Sequence, residues 1–298
     1  MAIMTADEIK TLLMRTSRCA VNSAGESRRY LSPEETISVS RKLGLDRREV
    51  EIAALEAAIT PERYRRNIGS VGAGGQIRLL KARAGVVGAG GLGGFAVELL
   101  ARCGVGRLTV IDGDSFEPTN LNRQLYATES TLSQNKAAAA KERVKEINGA
   151  VEVIAHPCRG DAGNLPGLLR GCDLVLDCLD NLPSRFALEE ACRKLKIPLV
   201  HGAVSGFTGQ VAVIQPGRPL LDTIYGRPVA QKPDQRAEAP VGIPSFTPAA
   251  VAARQVAEAV KLLTDPAKSL QDTLVLIDLH SGETAPVALA IPDRGRGG

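Results

Sequence analysis

Aromatic side chains are scarce in this 298-residue chain, at 3% of residues, and Trp is absent. A protein that grips nucleic acid by stacking bases on aromatic platforms is therefore disfavoured. Charge of one sign is also lacking. The formal net charge is only +4, too small an excess to argue for a polyanionic partner. The six cysteines (Cys19, Cys103, Cys158, Cys172, Cys178 and Cys192) form no C-x-x-C pair, which disfavours a structural zinc site, and none lies beyond Cys192. The opening MAIMTADEIK carries acids where an export signal carries bases, and no apolar core follows it. A cytoplasmic protein without a disulfide framework is expected. No run is long and apolar enough for a membrane span. The least polar stretch, 84–101, holds six glycines and the charged Glu98, and reads as strand, glycine turn and helix. What is present is ordinary for a packed globular protein: 44% hydrophobic and 23% charged residues, on a length that suggests about two domains.

The first sixty residues read as a separate helical module. Thr5-Ala-Asp-Glu8 and Ser32-Pro-Glu-Glu35 are capping boxes, the second with Pro at the first helical position, and Asp46-Arg-Arg-Glu49 starts a third helix. A loop rich in Ser, Gly and Arg is expected up to Leu31. Two helices joined by Leu43-Gly44-Leu45 suggest a helix-turn-helix, but the module carries nine Lys or Arg against nine Asp or Glu. A neutral module is a poor DNA binder, because phosphate neutralisation supplies most of that affinity. Packing or partner docking is the expected role.

From residue 84 the pattern changes. Strands are expected at 84–87, 107–112, 151–155, 173–178, 197–201, 210–214 and 274–279, alternating with helices at 91–103, 135–147, 184–194 and 249–263. This is the signature of a Rossmann-like, doubly wound α/β fold with a mostly parallel sheet. Residues 216–248 hold seven prolines and little periodicity, as a long functional loop would, and the tail DRGRGG reads as disordered. The expected organisation is a helical domain at 1–60, an α/β domain at 61–292 and a disordered tail at 293–298.

Three clusters carry chemistry. Gly88, Gly90, Gly91 and Gly93 follow a strand and open a helix, so backbone N–H groups at the helix start can meet a phosphate. Asp112 ends the next strand, where a carboxylate reaches ribose hydroxyls. NAD and ATP both remain possible on this evidence alone. Asp114, Asn120, Asn122, Arg123 and Gln124 then gather cations and amides past the same sheet edge. Lys136 lies in the first turn of an Ala-rich helix, with Ser133 expected as its cap. A cation there opposes the helix dipole, and a bound anion would relieve the conflict. Finally, Asp180 and Asn181 follow the 173–178 strand, in which Asp177 reads as an ordinary strand-end carboxylate. A carboxylate among cations and phosphates suits Mg2+, which binds through one or two carboxylates plus phosphate oxygens.

In this order, Arg63-Tyr64-Arg65-Arg66, GAGGLG, the run from Asp112 through TNLNRQ, Lys136 and DCLDN resemble the ThiF/MoeB/HesA family, bacterial relatives of ubiquitin-activating enzymes. The resemblance spans roughly residues 62–280. It implies a homodimeric adenylyltransferase that uses Mg-ATP to activate the C-terminal glycine of a ubiquitin-like sulfur carrier of the ThiS/MoaD type. By matched position it gives the nucleotide to the glycine turn, the ribose to Asp112, and the phosphates to Asn120, Arg123 and Lys136. Asp180 would serve the metal and the α-phosphate, and Arg66 would reach into the partner's site. Two departures stand out. The zinc-binding C-x-x-C pairs common in the family are missing, and the crossover stretch PLLDTIYGRPVAQKPDQRAEAPVG has no cysteine for a thioester. The alternatives are adenylation of a small-molecule or tRNA-borne carboxylate, an NAD-dependent oxidoreductase, and a non-catalytic nucleotide-binding module.

Overall fold

The computed structural model describes residues 5–21, 25–226 and 241–289. The middle of the proline-rich stretch and the DRGRGG tail lie outside the described residues.

The N-terminal region opens with helix α1 (Ala6–Thr16), followed by strands β1 (Arg18–Val21) and β2 (Ser27–Leu31). Helices α2 (Pro33–Leu43) and α3 (Arg47–Glu56) come next, then strand β3 (Ile59–Pro61). All three helices start with a complete capping box, at Thr5, Ser32 and Asp46. The stretch expected as a loop is instead an antiparallel hairpin, β1 with β2, and β2 pairs in parallel with β3. The pairing brings Leu31 and Ile59 under the helices, where they bury with Leu13, Val39, Val50 and Ala54. This gain in apolar burial outweighs the weak strand propensity of SRRYL.

The α/β region begins with α4 (Ile68–Lys81), kinked at Gly72, and continues with β4 (Arg83–Val87), α5 (Gly91–Cys103) and β5 (Arg107–Ile111). Next come α6 (Lys136–Ile147), β6 (Glu152–His156), the short α7 (Leu165–Leu168) and β7 (Leu174–Asp177). The order then runs α8 (Leu182–Leu195), β8 (Leu199–Ser205), β9 (Thr208–Ile214) and α9 (Leu221–Tyr225). It ends with α10 (Phe246–Thr264), β10 (Thr273–Asp278) and β11 (Glu283–Ala288). The eight strands lie in the order β11-β10-β9-β8-β7-β4-β5-β6. Those from β8 to β6 are mutually parallel, and β9, β10 and β11 add antiparallel.

Alternate residues of the central strands face opposite layers, as a parallel sheet covered on both sides requires. Val86, Leu108, Val110, Leu174 and Leu176 pack with residues of α5, α6 and α10. Val87, Ile111 and Val175 pack with Leu165, Leu188 and Leu221 of α7, α8 and α9. After β4 the chain moves outward through β5 and β6, then returns to place β7 on the other side of β4. This reversal puts a switch in strand order at the carboxyl ends of β4 and β7, the place where open α/β sheets carry the crevice that binds ligands. Among the described residues no helix is long and apolar enough to cross a membrane.

Candidate active site

The register of the central strands aligns Val87 with both Ile111 and Asp177, so the segments that follow them leave the sheet side by side. The glycine turn comes first. Gly88 has φ +90°, and an added Cβ would lie 2.5 Å from the Cys178 carbonyl oxygen. A Cβ at Gly93 would lie 1.8 Å from the Gly88 carbonyl oxygen. These two glycines are therefore demanded by the chain's own packing. Gly91 differs, because its nearest contact would be Pro248 Cβ at 3.5 Å, an ordinary van der Waals distance. Helix α5 starts at Gly91 with no side-chain cap on Gly90, so the N–H groups of its first turn are left for a ligand or solvent.

Asp112 faces this turn. Its Oδ2 accepts from the Ala89 N–H at 2.6 Å and its Oδ1 from the Asp114 N–H at 2.8 Å. Burial pushes its carboxyl above the usual range, against the lowering pull of those two N–H bonds and of Lys136. Lys136 is nearly buried, and its Nζ lies 3.4 Å from Asp114 Oδ2. Arg159 approaches the other oxygen of Asp114 at 3.9 Å.

The expected Ser133 cap is incorrect. Asn135 caps α6, accepting from the Ala138 N–H at 3.0 Å, and Ser133 sits outside the helix at φ +68°. Asn135 wins because its amide also donates to the Asp112 and Asp114 carbonyls, at 3.0 and 3.1 Å, and so fastens the helix start to the loop after β5. A serine hydroxyl cannot span both.

The TNLNRQ run folds back over the turn. Gln124 is buried beside Gly90, and its Oε1 has no hydrogen-bond partner among the described residues. A buried, unpartnered amide oxygen beside an uncapped helix start marks a place for a polar ligand. Arg123 lies next to Gly91 and donates through Nη1 to the Thr119 carbonyl and Asn122 Oδ1, at 2.9 and 2.8 Å. Asn120 turns inward, its Oδ1 accepting from the Glu117 N–H at 3.0 Å, while Asn122 donates to the Ile243 carbonyl at 3.1 Å.

On the other side of the crevice, Asp180 is exposed, and one of its oxygens accepts from Asn181 Nδ2 at 3.1 Å. Asn181 caps α8 through the Ser184 N–H at 3.0 Å. Among the described residues Asp180 thus keeps a second carboxylate oxygen without a hydrogen-bond partner, as a hard cation shared with phosphate oxygens would need. Arg66 is exposed just before α4 and makes no hydrogen bond or ion pair among the described residues. No contact ties it to the glycine turn of its own chain.

The sequence patterns did not single out Pro248 on α10, which sits against Gly91, nor Asn135. They also left Arg185 and His201 unremarked and read Asp177 as an ordinary strand-end carboxylate, yet the three meet in one buried cluster.

Residues 64–294 match the model of the ThiF family. The chain belongs to the ThiF family. A SAMP-activating enzyme E1 of Haloferax volcanii is 39% identical over 220 residues, which cover 73% of this chain and 81% of the relative. A sulfur carrier protein adenylyltransferase of Thermus thermophilus is 38% identical over 226 residues, with coverages of 73% and 83%. This ThiF-family chain is an enzyme, an adenylyltransferase. Among solved structures, E. coli MccB with ATP superposes with a TM-score of 0.67 at 17% identity, covering 89% of this chain and 81% of MccB. At that identity the likeness establishes the fold. The E. coli tRNA N6-threonylcarbamoyladenosine dehydratase TcdA, in complex with ATP, gives a TM-score of 0.57 at 25% identity, with coverages of 69% and 95%.

Proposed function

We propose that this ThiF-family enzyme uses ATP to adenylate the C-terminal glycine carboxylate of a ubiquitin-like sulfur carrier of the ThiS/MoaD type, working as a homodimer. The observation that carries the reading is a convergence at one sheet edge. Arg123 and the Gln124 oxygen lie beside the uncapped helix start after β4, and Lys136 lies against Asp114 in the segment after β5, the neighbouring strand.

The chemistry needs no nucleophile from the enzyme. A carboxylate oxygen of the carrier forms a bond to the α-phosphorus as the bond to the pyrophosphate oxygen breaks, and the electron pair leaves with pyrophosphate. The enzyme's work is alignment and charge neutralisation. The N–H groups from Gly91 onward and Gln124 hold the nucleotide phosphates and base-proximal polar groups. Asp112 receives the ribose. Arg123 and Lys136 offset the charge that builds on the phosphates, Lys136 exchanging its long contact with Asp114 for a phosphate oxygen. Asp180, with its free oxygen, would hold Mg2+ together with those phosphates. Among the described residues no three His, Cys, Asp or Glu side chains cluster to cage a metal by themselves. When bound, the ion supplies neutralisation of triphosphate charge.

The crossover stretch has no cysteine, and burial pushes the thiols of Cys178 and Cys192 up. The acyl-adenylate is therefore taken as the product released to another protein for sulfur loading. The relatives are adenylyltransferases, so hydride transfer is not favoured.

The test is ATP–pyrophosphate exchange with a small carrier ending in Gly-Gly, compared with the same carrier lacking its last glycine. Exchange that requires the intact tail is the expected result. Exchange driven by a small carboxylate alone, or no exchange with any carrier, would overturn the reading.

A further inference from the structure

Behind the Asp180 turn lies a buried polar cluster with no place in the chemistry above. Asp177 closes β7 and is wholly buried. Arg185 Nη1, from the first turns of α8, lies 3.0 Å from Asp177 Oδ2 and donates to the Gly202 carbonyl at 2.7 Å. His201 on β8 places Nδ1 2.7 Å from the same Asp177 oxygen, and its Nε2 lies 3.0 Å from the Tyr225 hydroxyl. Gln210 donates to that hydroxyl at 2.5 Å.

One assignment of protons satisfies the whole chain. Gln210 donates to Tyr225, Tyr225 to His201 Nε2, and His201 Nδ1–H to Asp177. The ring is then neutral, in line with burial lowering the His201 pKa. Full burial alone would raise the Asp177 carboxyl, but Arg185, His201 and the Leu179 N–H hold it below the usual range.

The ion pair also grips one residue of backbone at both ends. The Leu179 N–H donates to Asp177 Oδ1 at 3.0 Å, and the Leu179 carbonyl accepts from Arg185 Nη2. Leu179 immediately precedes Asp180, whose own side chain accepts a hydrogen bond from Asn181. A buried ion pair is weak evidence for stability, since apolar residues of similar volume often serve as well. A pair that also holds both backbone polar groups of a single residue is better explained by what that residue positions.

We infer that Arg185 is a positioning residue: paired with Asp177 and His201, it helps hold the Leu179 backbone at its N–H and its carbonyl and so fixes where the Asp180 carboxylate enters the crevice. The role of Asp180 rests on the function proposed above, whereas the lock itself does not.

The test uses the full chain and two readouts. Arg185→Lys keeps the charge opposite Asp177 but cannot reach both Gly202 and Leu179. Amide hydrogen exchange over residues 177–183 should rise at least about tenfold while the rest of the sheet is unchanged. ATP affinity is then measured by calorimetry with Mg2+ and with a chelator. Arg185→Lys and Asp180→Ala should each lose the Mg2+-dependent gain in affinity, and the double variant should lose no more than either alone. If Arg185→Lys fails to fold, the pair Asp177→Asn/Arg185→Gln replaces it, because it removes both charges together and strands neither. Unchanged exchange over 177–183 overturns the lock, and losses that multiply in the double variant overturn its action through Asp180. A wild-type chain that binds no ATP overturns the adenylation reading, and with it the role of Asp180, while the exchange result still judges the lock.

Discussion

Lys136 stands at the first position of an α-helix, where a positive charge meets the positive end of the dipole, and it is nearly buried there. Its ion pair with Asp114 is long at 3.4 Å. A lysine held this way is spring-loaded toward a stronger anion, and Arg123, across the glycine turn, complements it. Removing either should lower adenylation by roughly a hundredfold, the cost of one preorganised charge-stabilising donor. Steady-state rates of Arg123→Ala and Lys136→Ala check this, and wild-type rates in either would detach that residue from the phosphates. At this scale the sequence was informative wherever chemistry was local in the chain. The turn glycines, Asp112, the TNLNRQ run and Lys136 announce themselves through their positions around strand ends and helix starts. Arg185 and His201 do not. They lie 8 and 24 residues beyond Asp177, on different elements, and only the β7–β8 pairing brings them together. Ser133 and Asn135 show the same limit at short range, since the true cap is decided by two carbonyls on another loop.

At the scale of elements, the β4–α5 turn separates glycines that the chain's own packing demands from Gly91, which that packing does not demand. Gly93→Ala forces a Cβ onto the Gly88 carbonyl and should cost about 3 kcal/mol or more, seen as a lowered thermal midpoint. Gly91→Ala meets only ordinary contact, so the midpoint should hold. ATP affinity should nonetheless fall roughly tenfold or more as the new methyl crowds the phosphate path. Equal ATP affinity in Gly91→Ala would mean that no phosphate approaches there. The central strands and α5, α6, α8 and α10 were legible from the sequence because apolar runs and helical spacing coincide with burial on one or both faces. The elements that escaped lack that coincidence. Strand β1 is exposed along its whole length, β11 likewise, and α4 hides its helical period behind Gly69, Gly72, Gly74 and Gly75.

For the whole molecule, the first question is how the N-terminal region is fastened. Buried Glu51 of α3 accepts from the Tyr64 hydroxyl at 3.0 Å, and Tyr64 in turn accepts from Asn148 Nδ2 at 2.9 Å, beyond the end of α6. Arg63 Nε approaches Glu51 Oε1 at 3.1 Å without hydrogen-bond alignment and donates through Nη1 to Asn148 Oδ1 at 2.5 Å. Burial pushes the Glu51 carboxyl up to about 7, against the pull of Arg63 and Tyr64. The native state therefore holds this proton more tightly than the unfolded chain does. The resulting stability is complete below the unfolded value near 4.5 and is lost as pH rises through about 7. Urea unfolding between pH 5 and 8 should show wild type losing stability relative to Glu51→Gln, and parallel curves would refute the assignment.

Arg66 belongs to the same scale. It is exposed and makes no ion pair among the described residues of its own chain. If it completes the partner's site, mixing Arg66→Ala with Asp180→Ala chains should restore part of the activity lost by each, and mixed dimers without rescue would remove it from the site. The central claim, that the crevice between β4 and β7 joins a carboxylate to the α-phosphorus of ATP, is tested most directly by isotope transfer. A carrier whose C-terminal carboxylate is labelled with heavy oxygen is incubated with ATP, hydroxylamine then attacks the acyl carbon of the adenylate, and the AMP that leaves is weighed. The account predicts AMP carrying one labelled oxygen together with pyrophosphate; unlabelled AMP, or ADP in its place, would contradict it.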